Sequence, residues 1–392
     1  MYKTIKQSFK VEFNYNIFFT KNIFDLKNKL LINLINKDTK SRKKIIIFID
    51  KNVEKHHKKL KININKYIEK YNKYIDLKCQ PILITGGEHV KNHYLLVKCI
   101  YKMIEKHKIC RQSYIIAIGG GTIQDLIGYV ASTAHRGIRL IRMPTTVLSQ
   151  DDSGIGVKNG INFLNKKNFI GCFSVPFTVI NDYLFLKSLN EDILLEGISE
   201  AIKVALIKDE LFFDFMEKNV KSIAECEMEY IEKIIYNCAK LHAEHISKGG
   251  DPFEMLSARP LDFGHWSAHK IESLSRYKIS HGKAVAVGIA LDCTYSYLIK
   301  LLHKHNWKRI IKLLLNLKLP IYTKELHARF NNKQILFDGL DEFKEHLGGK
   351  LTITLIKKIG VKTDVHHVNI SIYKKAINLI KKLYSKKLKN DN

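Results

Sequence analysis

Two imidazoles four residues apart raise the question of a metal ion. In "DFGHWSAHKIE", His265 and His269 fall at i and i+4 on one helix face, where both rings can share a cation. "SHGKAVAVGIA" sets His281 at the head of another helix, and "LEGISEAIK" sets Glu200 on a helix among apolar neighbours. Two histidines and a carboxylate in such settings point to zinc. The chain has 17 histidines, so any single one is more often incidental. A second chemistry lies in "IIAIGGGTIQDLIGYV" (115–130), where Gly119, Gly120 and Gly121 close an apolar run and a helical pattern follows over 122–134. Backbone N–H groups at such a turn suit a pyrophosphate, although the spacing is not GxGxxG. Asp50, at the end of an earlier apolar run, fits either a carboxylate holding ribose hydroxyls or a plain helix N-cap. "MPTTVLSQDDSGIGVKNGINFLNKKNFIG" (143–171) gathers Asp151, Asp152, Lys158, Asn162, Lys167 and Asn168 among glycines with little periodicity, and reads as a functional loop.

These residues need elements to hold them. Four β-branched runs, 43–52, 81–90, 113–122 and 138–146, each end in polar or glycine residues. Helical stretches at 53–73 and 91–108 lie between them. The alternation predicts an open, mostly parallel α/β sheet with ligands at the carboxyl ends of its strands. From about residue 186 the period becomes helical, over 195–220, 228–247 and 283–302, with a β run only at 350–360. The expectation is an α/β domain over 1–185 and a mainly helical domain over 186–392, with a frayed lysine-rich tail after about 384.

Composition excludes several classes. The 392 residues suffice for two domains, and a hydrophobic content of 45% is ordinary for a soluble protein. No apolar run reaches 18 residues and no secretory h-region opens the chain, so the expectation is a cytoplasmic protein without membrane contact. Seven cysteines, an odd number without CxxC spacing, argue against a disulfide framework and a thiolate zinc site. The formal charge of +28 would suit nucleic acid. However, 57 of the 66 basic residues are lysines spread along the chain, so the expectation is no nucleic acid, with the field favouring an anionic substrate.

In order over residues 115 to 282 stand GGGxxxD, RG, PTT, D-S-x-x-G-x-K, KN-x-IG, E-A-I-K, FGH-x-x-x-H and HG. This series resembles the 3-dehydroquinate synthase superfamily, the sugar-phosphate cyclases, with likeness from about residue 43 to 365. The resemblance implies a Rossmann-like NAD-binding domain, a helical metal-binding domain and an active site between them. Asp50, Asn52, Glu88, Lys91, Gly120, Gly121, Thr122, Asp125, Thr145, Thr146 and Leu148 match the family's NAD contacts, with Lys158 and Lys167 beside them. Glu200, His265 and His281 match its metal ligands for Zn2+ or Co2+, which moves His269 from the metal to a place beside it. Arg136, Asp152, Lys158, Lys167, Asn168, Lys203 and Glu254 match substrate and phosphate contacts. The resemblance also implies a homodimer, a small anionic sugar-phosphate substrate and a place in the shikimate pathway of aromatic amino acid biosynthesis.

The sequence departs from the pattern in places. Asp262 stands for the usual asparagine in L-N-F-G-H, and Arg259 sits one place late, before Pro260. "GGDP" (249–252) looks inserted, which leaves Lys240 as the candidate for an expected lysine, and Lys344 is the candidate for a later one. The implied reaction oxidises a secondary alcohol of a heptulosonate phosphate with NAD+, eliminates phosphate, returns the hydride and closes a carbocycle by aldol addition. Alternatives are a cyclase of sedoheptulose 7-phosphate (valiolone synthase-like or of the ebo-cluster type), a metal-dependent polyol dehydrogenase and a non-catalytic basic binding protein.

Overall fold

The computed structural model describes residues 3–36, 41–164, 166–249, 253, 260–346, 349 and 351–390. Seven strands form its main sheet: β1 (Asn16–Thr20), β2 (Lys43–Asp50), β3 (Ile75–Leu77), β4 (Ile82–Ile84), β5 (Tyr114–Gly119), β6 (Arg139–Pro144) and, after the hairpin β7 (Lys158–Phe163) and β8 (Lys166–Phe173), β9 (Thr178–Asp182). The order is β1-β9-β6-β5-β2-β3, with β4 also pairing β2, and every pair is parallel. A parallel sheet is covered on both faces, and the run Ile45–Ile49 is fully buried accordingly. Ile45, Ile47 and Ile49 pack with Ile64 and Tyr67 on one side, beneath α1 (Leu30–Ile35), α2 (Lys51–His56) and α3 (Leu60–Lys70). Ile46 and Phe48 pack with Ile100 and Ile127 on the other, beneath α4 (Tyr94–Lys106) and α5 (Gly121–Thr133).

The expected α/β sheet is present, with three differences. The helix expected over 53–73 is two, interrupted at His57. Strands β1 and β9 are short, and β9 ends in the buried polar residues Asn181 and Asp182, which hides the apolar signal of a strand. The stretch 158–173 is an antiparallel hairpin that packs on α5, whereas the sequence suggested an irregular loop.

The later half is helical. It comprises α6 (Glu191–Lys208), α7 (Glu210–Lys218), α8 (Val220–Ala224), α9 (Met228–Lys248), α10 (His265–Leu274), α11 (His281–Leu298), α12 (Lys304–Asn316), α13 (Asp338–His346) and α14 (Ile370–Asn390). Two small ribbons, β10 (Arg329–Phe330) with β11 (Lys333–Gln334) and β12 (Ile353–Lys358) with β13 (Val361–Val365), complete it. Helices α6 and α11 run through its core and are buried nearly all round, the pattern of a helix with no solvent face. Helix α14 runs to Asn390 through the tail expected to fray, while the residues that anchor it, Tyr373, Ala376, Ile377 and Ile380, all precede that tail.

Candidate active site

Glycines bring the three metal-ligand candidates together. A Cβ on Gly282 would lie 2.2 Å from the Glu196 carbonyl oxygen, so the head of α11 rests against the backbone of α6. His281 precedes that contact and Glu200 lies one turn beyond it. Gly264, at φ +77, and Gly288 touch closely enough that a Cβ on Gly288 would lie 2.0 Å from the Gly264 carbonyl oxygen. This approach sets the first turn of α10, and with it His265, beside α11. Glu200 Oε1 ends 3.5 Å from His265 Nε2 and 3.2 Å from His281 Nε2. Ligand atoms of all three residues lie within 4.8 Å of one another.

The donor set fits a divalent cation. Glu200 is fully buried and neither carboxylate oxygen makes an aligned hydrogen bond, a costly arrangement unless a charge lies nearby. His265 Nδ1 faces the Phe263 carbonyl at 3.0 Å and His281 Nδ1 faces Glu272 Oε2 at 3.0 Å. With each Nδ1 donating, both Nε2 lone pairs point to one place, as metal-bound histidines require. His269 lies beside this centre and open to the cleft, its ring 5.4 Å from that of His265 and 6.0 Å from that of His281. A second group, His269, Glu272 and His281, also lies within ligand distance. Its contact between Glu272 and His281 uses Nδ1, the nitrogen turned away from Glu200.

Ion pairs join the sheet side to the helical side. Lys203, one turn after Glu200, is 2.5 Å from Glu200 Oε2 and 3.8 Å from Asp152 Oδ1. Burial disfavours its charge, but Glu200 and Asp152 outweigh that and hold it above the ordinary lysine range. Burial also pushes the Asp152 carboxyl up, and Lys203 and His242 more than reverse it, leaving it at about 2. Its neighbour Asp151 is fully buried without a hydrogen-bond partner for its carboxylate among the described residues, and burial, then Asp152 and Glu200, raise it well above the carboxylate range. Asp262 ends the short turn Pro260–Asp262 that packs on α6, within the field of Lys203.

On the sheet side the NAD-contact candidates Glu88, Lys91 and Asp125 form a network with the phosphate candidate Asn168. Lys91, almost fully buried, donates to Asp125 Oδ2 at 2.8 Å and to Asn168 Oδ1, and lies 3.5 Å from Glu88 Oε1. Asn162 donates to Glu88 and its oxygen accepts from the Asn168 amide. Lys167, next on the hairpin, reaches across to Glu272 at 2.9 Å. Lys158 opens β7 at the surface.

The glycine turn divides its work. A Cβ on Gly119 would meet Ile123 at 2.7 Å and one on Gly121 would meet Ser153 Oγ at 2.7 Å, so both are needed for packing. A Cβ on Gly120 would have only an ordinary contact, 3.4 Å from Thr146, and its φ of −69 suits any residue. Among the described residues no contact demands glycine at 120, so the head of α5 is open at this position. Thr122 and Asp125 follow on α5, while Thr145, Thr146 and Leu148 border the turn from the loop after β6. Asp50 caps α2 by accepting from the Asn52 amide at 2.8 Å, so the N-cap expectation holds. A Cβ on Gly86 would lie 2.1 Å from the Asp50 carboxylate, so that carboxylate also borders the loop after β4.

Some candidates lie elsewhere. Arg136 lines a groove of about 650 Å³ with Cys110, Arg111, Gln112, Thr133 and His135, beyond the far end of α5 from Gly120. Thirteen helical residues, about 20 Å, separate the two ends. Lys344 is exposed on α13. Glu254, Arg259 and most of the GGDP segment lie outside the described residues. Lys240 faces a groove with Asp209, Phe212 and Glu244, and the residue that α9 supplies to the cluster is His242, its Nδ1 2.9 Å from Asp152 Oδ1. His242 continues the buried stripe Ile231, Ile234, Ile235, Cys238 and Ala239, a helical spacing that could have marked it in the sequence.

A parallel sheet ending in a glycine turn, followed by helices that carry two histidines and a buried glutamate, is the architecture of the sugar-phosphate cyclases. Family models for the N-terminal and C-terminal parts of 3-dehydroquinate synthase match residues 81–196 and 197–338. The 3-dehydroquinate synthase of Thermodesulfovibrio yellowstonii is 33% identical over 299 residues, covering 76% of this chain and 81% of the relative. That of Sulfurisphaera tokodaii is 32% identical, covering 71% and 78%. The chain belongs to the 3-dehydroquinate synthase family. Among solved structures, 2-epi-5-epi-valiolone synthase from Streptomyces hygroscopicus, with NAD+ and Zn2+ bound, has a TM-score of 0.84 at 23% identity, over 96% of this chain and 99% of its own. A 2-deoxy-scyllo-inosose synthase bound to carbaglucose-6-phosphate, NAD+ and Co2+ has a TM-score of 0.74 at 21% identity, over 92% and 95%. An iron-containing alcohol dehydrogenase shares the fold at 0.60 with 13% identity, over 95% and 99%.

Proposed function

We propose that this enzyme converts a seven-carbon sugar phosphate to a carbocycle with loss of phosphate, using NAD and a divalent metal, and that its substrate is a heptulose phosphate without a carboxylate. The bound groups supply hydride exchange and Lewis-acid polarisation of the reacting oxygens. Glu200, His265 and His281 hold the metal. The Gly120–Thr122 backbone takes the pyrophosphate, and Asp50 takes ribose hydroxyls. Lys158, Lys167 and Asn168 bind the substrate phosphate, where lysine acts as a point charge. Lys203, paired with Glu200 and Asp152, orients the hydroxyl that is oxidised, and His269 moves a proton beside the metal.

Asp262 carries the substrate assignment. A substrate carboxylate needs a cation, and among the described residues Lys203, the lysine that feels the charge of Asp262, is already engaged by Glu200 and Asp152. Asp262 adds another carboxylate in the field of Lys203. A like charge beside a substrate carboxylate opposes its binding. The sequence-level preference for a heptulosonate phosphate is retained as the second reading, supported by the 3-dehydroquinate synthases at 32–33% identity. The polyol dehydrogenase alternative has the weaker support of a 13% identical fold relative.

The test is purified enzyme with NAD+ and Zn2+ or Co2+, supplied in parallel with sedoheptulose 7-phosphate and 3-deoxy-arabino-heptulosonate 7-phosphate. Phosphate release and the carbocyclic product are measured for each. Turnover confined to the carboxylate-bearing sugar would return the assignment to 3-dehydroquinate synthase chemistry. Oxidation without phosphate release would favour a dehydrogenase.

A further inference from the structure

Glu272 has no role in the reading above, yet it is nearly buried, at 4% exposure, between two groups that do. It lies on α10, seven residues after His265. One carboxylate oxygen, Oε2, faces His281 Nδ1 at 3.0 Å, and the other, Oε1, accepts from Lys167 Nζ at 2.9 Å. Lys167 belongs to the β7–β8 hairpin, so a single carboxylate touches a metal-ligand candidate and a phosphate-binding candidate from opposite sides of the cleft.

We propose that Glu272 is a positioning residue that fixes the His281 tautomer and makes metal affinity depend on the partner of Lys167. The inference rests on the metal-site reading above. By accepting from Nδ1–H, Glu272 keeps the proton off Nε2, the nitrogen directed at Glu200. A carboxylate acceptor also raises the basicity of the ring, which strengthens its bond to a cation. Lys167 opposes this by drawing negative charge toward its own ammonium. An anion that engages Lys167 leaves more of the Glu272 charge on His281, and the metal binds more tightly. Linkage then requires the metal to strengthen anion binding by the same factor. The hairpin and the metal centre, on different domains, thereby sense each other through one side chain.

The experiment titrates Co2+ into the metal-stripped full chain, reading both affinity and the visible absorption of the bound ion. Glu272→Ala is expected to weaken Co2+ binding by about 10- to 100-fold and to shift the absorption bands. NAD affinity of this variant should stay within about twofold of wild type. Glu272→Gln, which keeps the shape and one acceptor oxygen, should fall between them and serves if the alanine variant does not fold. Lys167→Met is expected to tighten Co2+ by about two- to fivefold, and this gain should vanish in the double variant. Inorganic phosphate at millimolar concentration should tighten Co2+ in wild type and have no effect in Glu272→Gln. Wild type that binds no Co2+ would overturn the metal-site reading itself. Co2+ binding equal in wild type and both Glu272 variants would overturn the role of Glu272 alone. Additive single-variant effects, or phosphate acting equally in wild type and Glu272→Gln, would overturn the coupling to Lys167.

Discussion

The two walls of the cleft are built by different means. The sheet wall presents backbone at a turn of adjacent residues, Gly119 to Gly121, with the following helix in register. The helical wall presents side chains from α6, α10 and α11, drawn from positions 81 residues apart between Glu200 and His281. A backbone site tolerates change at most flanking side chains and fails when a side chain intrudes. A side-chain site fails when any one member is lost, because its charges are balanced against one another away from water.

Substitutions can break that contrast, and the largest effect belongs to the helical wall. His265→Ala should abolish turnover, by at least about a thousandfold, and lower bound metal while NAD affinity stays near wild type. Turnover by a demonstrably metal-free preparation would remove the distinction between the walls.

Next comes a pH effect confined to the helical side. Asp292, fully buried on α11, accepts from Trp266 Nε1 at 3.0 Å and Tyr373 OH at 2.9 Å through one oxygen, and its other oxygen has no aligned hydrogen bond among the described residues. Burial raises its carboxyl from 3.8 to about 7, against the lowering effect of those hydrogen bonds. The folded state therefore holds a proton that the unfolded state has lost. This contribution is fully present below about pH 4 and disappears as pH rises through about 7. Urea unfolding of wild type should lose about 3 kcal/mol relative to Asp292→Asn between pH 5 and 8. Parallel pH profiles would show that the carboxyl titrates normally.

Gly120→Val tests the sheet wall. Because the protein leaves room for a Cβ there, the fold should stay within about 1 kcal/mol of wild-type stability. NAD affinity should nevertheless fall by about 100-fold, or 2.7 kcal/mol, in a binding titration. Equal losses of stability and affinity would mean that Gly120 serves packing as Gly119 and Gly121 do. The smallest effect sharpens the substrate assignment: Asp262→Asn should shift kcat/KM by about tenfold toward the carboxylate-bearing sugar. An unchanged ratio would take Asp262 out of substrate selection.

Legibility in the sequence follows the same division. Strands β2 and β5 contain continuous apolar runs and β6 an apolar run broken by the buried Arg142, and their ends mark the sheet wall directly. The three metal-ligand candidates were readable because each sits in a short motif, although spacing alone put His269 on the metal in place of the distant His281. His242 and Glu272 were missed for a physical reason. Each lies on a helix face that otherwise reads as core or surface, and each acquires a role only from what the tertiary fold places opposite it. The hairpin was missed because β8 is half-exposed and lacks the buried alternation of a core strand.

The pairing of β1 with β9 also constrains how the chain comes to be folded. Asn16–Thr20 aligns with Thr178–Asp182, and the Asp182 carboxylate receives the backbone amides of Asn22 and Ile23. Emerging from the ribosome, β1 has its partner only after about 160 further residues have been made. During that interval its edge, with Ile17, Phe18 and Phe19, is open to unwanted pairing, and contacts this far apart in sequence form slowly. Strand β1 is thus secured only long after it is made, and expression at low temperature or with a chaperone should raise the soluble yield more than any change at the active site.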